Sequence, residues 1–303
     1  MKIGILEAKN FSNDVIEKLK TMGEVQIFQD HIIEDFLQDL DVVFVRLSYR
    51  LDSSLLSKAK NLKFICSPTT GLNHIDLEEC ERLGIKVISL KGETEFLETI
   101  RATPEHTLGL IIALLRQYSS AFAPIEEEFD RELYIGEELY NNTVGIIGLG
   151  RVGKLLSHYL QALGSRVSFF DINNIYHHGL VKKDSINELI LENNIVVLSA
   201  SFSEKYRRFF NKQYIDLLQN KYFINTSRGE LVDEEYLFTK MEMNYFKGIA
   251  IDVLSADLNK EKVLSFNKRN DINAIITPHI GGATFTSFTK TENFILEKLL
   301  QNL

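Results

Sequence analysis

The chain has 303 residues, 45% hydrophobic and 25% charged, with a net charge of −8 from 34 basic and 42 acidic side chains. That length allows two domains with separate cores, and the apolar and charged shares are those of an ordinary soluble globular protein. The acidic balance argues against a general nucleic-acid or membrane-surface binder, and Cys66 and Cys80, with no C-x-x-C pair, suggest neither a disulfide framework nor a zinc site.

The chain opens as a strand in "MKIGILEAKN", with no signal-peptide pattern, and no apolar run is long enough for a membrane span. We therefore expect a cytoplasmic protein. Over the first hundred residues, short apolar strands alternate with helical patterns. The strands are "KIGILE" (2–7), "EVQIF" (24–28), "DVVFVRL" (41–47), "LKFICS" (62–67) and "IKVISL" (85–90). Such alternation implies βαβ units around a parallel sheet, enough for one small doubly wound domain.

A long helix follows. Thr103 reads as its N-cap, Pro104 suits the first helical position, and Glu105 complements the positive end of the helix dipole. Its apolar residues surround the axis, which predicts a helix enclosed between other elements. The strand rhythm then resumes with "TVGIIGLG" (143–150), "RVSFFD" (166–171), "IVVLSA" (195–200), "KYFINTS" (221–227), "KGIAIDV" (247–253) and "NAIITPH" (273–279). This second, larger parallel sheet is followed by a helix near Ser287–Leu300 with no strand after it, which we expect to return to the first domain.

The segment 143–171 carries Gly148-x-Gly150-x-x-Gly153 between a strand and an amphipathic helix, and Asp171 ends the next strand. A bare G-x-G-x-x-G is weak evidence; in this setting it reads as a dinucleotide site. Gly148 permits the tight turn, Gly150 lets the backbone approach a pyrophosphate, and Gly153 lets helix and strand pack closely. Asp171 can bind both ribose hydroxyls of NAD and would repel the 2′-phosphate of NADP. No basic residue follows immediately in "DINNIYHHG", which favours NAD.

Ligands of open α/β sheets bind at the carboxyl ends of strands. Three such ends carry polar groups: "NTSRGE" (225–230), "IDVLSAD" (251–257) and "TPHIGG" (277–282). Arg228 can clamp a substrate carboxylate with two parallel hydrogen bonds, and His279 can give or take the proton of a carbonyl or hydroxyl.

Taken together, "TTGLNHID" (69–76), "RATPEHTLGLIIALLR" (101–116), "GIIGLGRVG" (145–153), "INTSRGELVDEEYL" (224–237), "GIAIDV" (248–253) and "TPHIGGAT" (277–284) resemble the D-isomer-specific 2-hydroxyacid dehydrogenase family along nearly the whole chain. The resemblance implies two doubly wound parallel-sheet domains with a cleft between them. A flavodoxin-like substrate domain would comprise 1–100 and 282–303, and a Rossmann NAD-binding domain 101–281. It implies that Arg228 binds and polarises a 2-oxo acid and that His279 is the proton donor in its reduction to the D-2-hydroxy acid. It further implies Arg151 and Val152 at the pyrophosphate, Thr226 and Ser227 beside the nicotinamide, and Asp252 and Gly281 on the cofactor side. The Thr70-Gly71 turn would hold the substrate carboxylate, and a homodimer would form through the cofactor domain.

One position departs from the family pattern. The histidine's usual partner is a glutamate five residues past the aspartate; here Asp257 stands there, followed by Leu258. Aspartate reaches about 1.5 Å less, one C–C bond. We expect Asp257 still to orient His279, with either its loop displaced inward or a longer and weaker pair. Substrate identity is left open. Arg46, Tyr49, Arg50 and Lys91 are candidate selectors, Arg46 because it follows a strand where a phosphate or second carboxylate can be read. The alternative class is an NAD-sensing corepressor of similar fold with little turnover; the presence of both Arg228 and His279 argues against it.

Overall fold

Strands buried along their whole length belong in the middle of covered parallel sheets, and this chain builds two. The computed structural model describes residues 1–29, 32–122, 130–255, 258, 260–269 and 271–303. Two compact units result, one from Met1–Ile100 with Ala283–Leu303 and one from Arg101–Gly282.

In the first unit β1 (Lys2–Ile5), β2 (Glu24–Ile27), β3 (Val42–Phe44), β4 (Phe64–Ser67) and β5 (Lys86–Ser89) form a parallel sheet in the order β2-β1-β3-β4-β5. This is the flavodoxin-like order, with its switch point between β1 and β3. The final helix, Phe285–Leu300, starts at Thr284, whose hydroxyl accepts from the Ser287 N–H. Ile295, Leu296 and Leu299 of that helix share one core with Ile3, Ile5, Phe44 and Cys66. Burial pushes the Cys66 thiol up, and that of Cys80 to about 11, so neither is a reactive thiolate.

The second unit carries β6 (Thr143–Ile147), β7 (Arg166–Phe170), β8 (Val181–Lys182), β9 (Ile195–Leu198), β10 (Tyr222–Asn225), β11 (Gly248–Ile251) and β12 (Ala274–Ile276). Their order, β12-β11-β10-β9-β6-β7-β8, is the Rossmann pattern with an added strand at one edge, and the direction of winding switches between β6 and β9. The two residues of β8 are both exposed, so no apolar pattern announces that strand. The register pairs Asn225 with Ile251 and Ile251 with Ile276, so three neighbouring strands end level with one another.

Helix Ala102–Leu115 differs from expectation in two ways. It begins two residues early, with Arg101 at the N-cap and no side-chain cap, and Thr103 lies inside the first turn. Pro104 has no N–H to satisfy there, which makes a missing cap less costly. The helix is also buried on one side only: Pro104, Thr107, Ile111 and Leu114 are covered, whereas Glu105 and Gly109 remain exposed. The sheet covers its inner face, and Leu108, Ile112 and Ala113 on the remaining side are only half-buried.

Within the first unit, Glu292 is a buried acid with 0% exposure. Its Oε2 accepts from the Ser12 N–H at 2.7 Å, while Oε1 meets no partner among the described residues. Burial, only partly offset by the Ser12 bond and by Arg46, raises its pKa to about 7. A carboxyl whose folded pKa exceeds its unfolded value of about 4.3 stabilises the fold fully below that value and ceases to do so as pH rises through about 7. We therefore expect Glu292→Gln to be more stable than wild type at pH 8, by about 2 kcal/mol. That gap should shrink toward pH 5, as read by urea unfolding at both pH values. A pH-independent difference would show that Glu292 is not held protonated.

Candidate dinucleotide and acid-base site

The glycine turn lies at the switch point of the second sheet. Gly148 has φ +94°, and a Cβ there would stand 2.7 Å from the Ala200 Cα beyond β9. Gly153 presses its helix against the turn, where a Cβ would come within 2.4 Å of the Gly148 carbonyl oxygen. Gly150 is the opposite case: a Cβ added there meets nothing within 4 Å. The middle glycine thus leaves open space at the N-terminus of helix Arg151–Ala162, where free N–H groups favour an anion. Val152 stands in the first turn of that helix, and burial lowers the Arg151 pKa. Asp171 Oδ2 accepts from the Leu149 N–H at 2.8 Å and Oδ1 from Asn173 at 2.8 Å, which holds the carboxylate on the rim of the turn. An open cradle over a helix N-terminus with an acid one strand away fits NAD.

The second cluster follows from the level ends of β10, β11 and β12. Just past them, Asp252 N–H donates to the Asn225 carbonyl and Thr277 N–H to that of Ile251. The chain after β10 is shaped by Asn225, which accepts from the Ser227 N–H and hydroxyl and donates to the Arg228 carbonyl. After β12, His279 takes φ +57°, a left-handed conformation that costs a non-glycine residue about 1–2 kcal/mol. Asp252 holds it there. Its carbonyl accepts from His279 N–H at 2.8 Å, its Oδ1 from Thr277 Oγ1 at 2.6 Å and Ile280 N–H at 2.8 Å, and its Oδ2 from Gly281 N–H at 2.8 Å. Gly281 must be glycine at this distance, since a Cβ would stand 2.9 Å from Asp252 Oδ2.

Charge in this cluster is finely balanced. Burial alone would raise the Asp252 pKa; His106, Thr277 and the N–H groups of Ile280 and Gly281 outweigh it and hold the carboxylate below its usual range. His279 keeps an exposed edge, yet the crowding around its ring and the Arg228 guanidinium push its pKa down, against Asp252 and Glu230, which pull it up. Arg228 therefore lies within electrostatic reach of His279. Burial lowers the Arg228 pKa too, though a guanidinium stays charged throughout the working range.

Other expected residues are placed as follows. The Thr226 hydroxyl meets that of Thr107 at 2.8 Å, and Ser227 bonds Asn225. In the first unit, Thr69 Oγ1 donates to the Gly71 carbonyl at 2.9 Å and tightens the turn that includes Thr70. Arg46 stands after β3 as expected, and its guanidinium has partners within the first unit. One of its terminal nitrogens donates to the carbonyls of Glu7 and Lys9, and the guanidinium lies 4.4 Å from the centre of the Phe288 ring, while Nε meets no partner among the described residues. The following loop is tied down as well, because the Glu7 carboxylate accepts from the N–H groups of Arg46, Leu47 and Ser48. Asp257 lies outside the described residues.

Three contributors escaped the sequence reading: Asn225, Glu234 and His106. Asn225 carried a signal, since asparagine after a strand often shapes a turn. Glu234 looks like a first-turn helix acid, but it is buried and accepts from the Ser255 N–H at 3.1 Å and from the Ser255 hydroxyl, joining the loops after β10 and β11. Burial raises its pKa, and the Ser255 bonds oppose this. Gly229 completes the junction; a Cβ there would be 2.3 Å from Ser255 N.

Comparison with known proteins agrees with both units. Residues 108–281 match the family model of the D-isomer specific 2-hydroxyacid dehydrogenase NAD binding domain, and 5–95 that of the catalytic domain. The chain is 29% identical to D-3-phosphoglycerate dehydrogenase of Methanocaldococcus jannaschii, over 93% of this chain and 54% of that protein. It is 26% identical to hydroxypyruvate reductase of Thermotoga maritima, over 96% and 97%. The chain spans about half the length of the first curated relatives it matches, at 54% and 56%. D-lactate dehydrogenase of Aquifex aeolicus, solved with NAD and lactic acid, superposes with a TM-score of 0.82 at 23% identity over 99% of this chain and 94% of that one, which shows a shared fold.

The glycines give a paired test. Gly150→Ala, whose methyl enters open space, should melt like wild type and bind NADH at least ~tenfold more weakly by fluorescence titration. Gly229→Ala should instead lose about 1–3 kcal/mol of stability through overpacking against Ser255. If Gly150→Ala binds NADH as wild type does, the open space is not the pyrophosphate cradle.

Proposed function

The chain belongs to the D-isomer specific 2-hydroxyacid dehydrogenase family, and from that premise we propose that it interconverts a 2-oxo acid and a D-2-hydroxy acid with NAD. The observation that carries this reading is that Arg228 follows β10 and His279 follows β12, strands whose ends are level on either side of β11, in the same unit as the glycine turn. Gly148, Gly150, Arg151, Val152 and Gly153 take the pyrophosphate, and Asp171 the ribose hydroxyls. When bound, the nicotinamide supplies or accepts the hydride.

Arg228 binds the substrate carboxylate and draws electron density from the 2-oxo group. The Thr70-Gly71 turn is the first unit's candidate for binding a substrate carboxylate. His279 gives its proton to the oxygen as negative charge grows there, and takes it back in the reverse direction. Asp257 is the carboxylate that orients the ring in this reading. Hydroxypyruvate- and glyoxylate-like acids and their phosphorylated counterparts are the substrates to test. The reading includes a homodimer through the NAD-binding unit, supported by the exposed side chains of Phe122, Leu133 and Ile135, and a cytoplasmic setting.

Reduction requires protonated His279, so a depressed imidazole pKa makes the reductive kcat/KM fall as pH rises past a midpoint below the usual value of about 6.5. Asp257→Asn should move that midpoint lower still; an unmoved limb would make Asp257 a bystander. His279→Gln should cost ~10²–10⁴-fold in kcat with NADH binding intact. Absence of NADH consumption across a panel of 2-oxo acids, despite NADH binding, would overturn the assignment.

A further inference from the structure

Helix Ala102–Leu115 brings a second imidazole beneath the His279 turn. His106 Nε2 stands 3.4 Å from Asp252 Oδ1 and 3.4 Å from Thr277 Oγ1. The Asp252 side chain is 1% exposed and that of His106 19%, so this contact is largely shielded from water. Thr277 has given its own proton to Asp252, so its oxygen is free to accept. One Nε2–H can therefore be shared between the carboxylate and the hydroxyl. The ring also packs against the turn, since a Cβ on Gly281 would stand 3.6 Å from His106 Cδ2.

The charged and titratable groups around this turn come from each element packed on it. His106 approaches from the helix, Asp252 from the end of β11, and Arg228 and Glu230 from the loop after β10. Of these, among the described residues His106 is the one whose side chain contacts the Asp252 carboxylate. The N–H groups of Ile280 and Gly281 converge on Asp252, so whatever orients that carboxylate orients the turn.

We propose that His106 is a positioning residue for the His279 imidazole, acting through Asp252 and Thr277 to hold the left-handed turn. The inference rests on His279 being the acid-base group. His106→Phe keeps the ring and removes the donor; His106→Gln keeps a donor and removes the ring. Both are to be measured in the full chain for kcat and KM with a 2-oxo acid, NADH affinity by fluorescence, melting temperature, and the His279 ring titration by NMR, its signal assigned with His279→Gln.

The Phe variant should lose ~tenfold or more in kcat, with KM and NADH affinity within about twofold, and should shift the His279 midpoint by ~0.3 or more. The Gln variant should restore both. If the Phe variant does not fold, Thr277→Val breaks the same link and should produce the same shift. A folded Phe variant with unchanged kcat and midpoint overturns the proposal, as do equal losses in both variants matched by equal drops in melting temperature. Should wild type turn over no 2-oxo acid, the functional reading fails on its own. The NMR titration then decides, a shift supporting the coupling and an unmoved midpoint refuting it.

Discussion

A single buried carboxylate organises the second unit's reactive edge. Asp252 would be costly to ionise in the interior without partners. It is ionised because a hydroxyl, two backbone N–H groups and an imidazole converge on it. Those same N–H groups belong to a turn whose left-handed residue would otherwise relax toward ordinary backbone angles. Neither half is stable alone: the charge needs the turn's donors, and the turn needs the charge as its acceptor.

The same logic recurs one strand over. Glu234 is buried and tolerates burial by accepting from Ser255, and Gly229 gives up a side chain so that the two loops can touch. Parallel ladders deliver strand ends in register, and buried acids then stitch the irregular segments beyond them. The first unit uses Glu7 likewise, to gather three successive N–H groups after β3. Chain that leaves a sheet must still satisfy its backbone donors, and here acidic side chains serve that need.

Much of this was legible in the sequence. Eleven apolar runs marked strands because central parallel strands are buried on both faces, and the glycine turn was legible because its spacing reflects direct steric need. His279 and Arg228 stood out as polar groups directly after such runs. Arg46 stood out for the same reason, but sequence shows only where a guanidinium is anchored; its direction depends on carbonyls at Glu7 and Lys9 and on a ring 242 positions further along the chain, Phe288. His106 and Glu234 were hidden because both sit in helices, where a polar residue normally reads as a solvated face. Only long-range packing turns them inward. β8 gave no pattern because an exposed two-residue edge needs none.

The level finish of β10, β11 and β12 has a consequence for how such a chain can change over time. Neighbouring parallel strands are spaced at about 4.8 Å by main-chain hydrogen bonds that no side chain can alter. The strand ends that the guanidinium and the imidazole follow are thus set two strand widths apart, like teeth on a comb. Mutation can lengthen, tilt or swap what grows from each tooth while the pitch stays constant. A lineage can therefore trial new chemistry in these loops without disturbing the gauge against which it is measured.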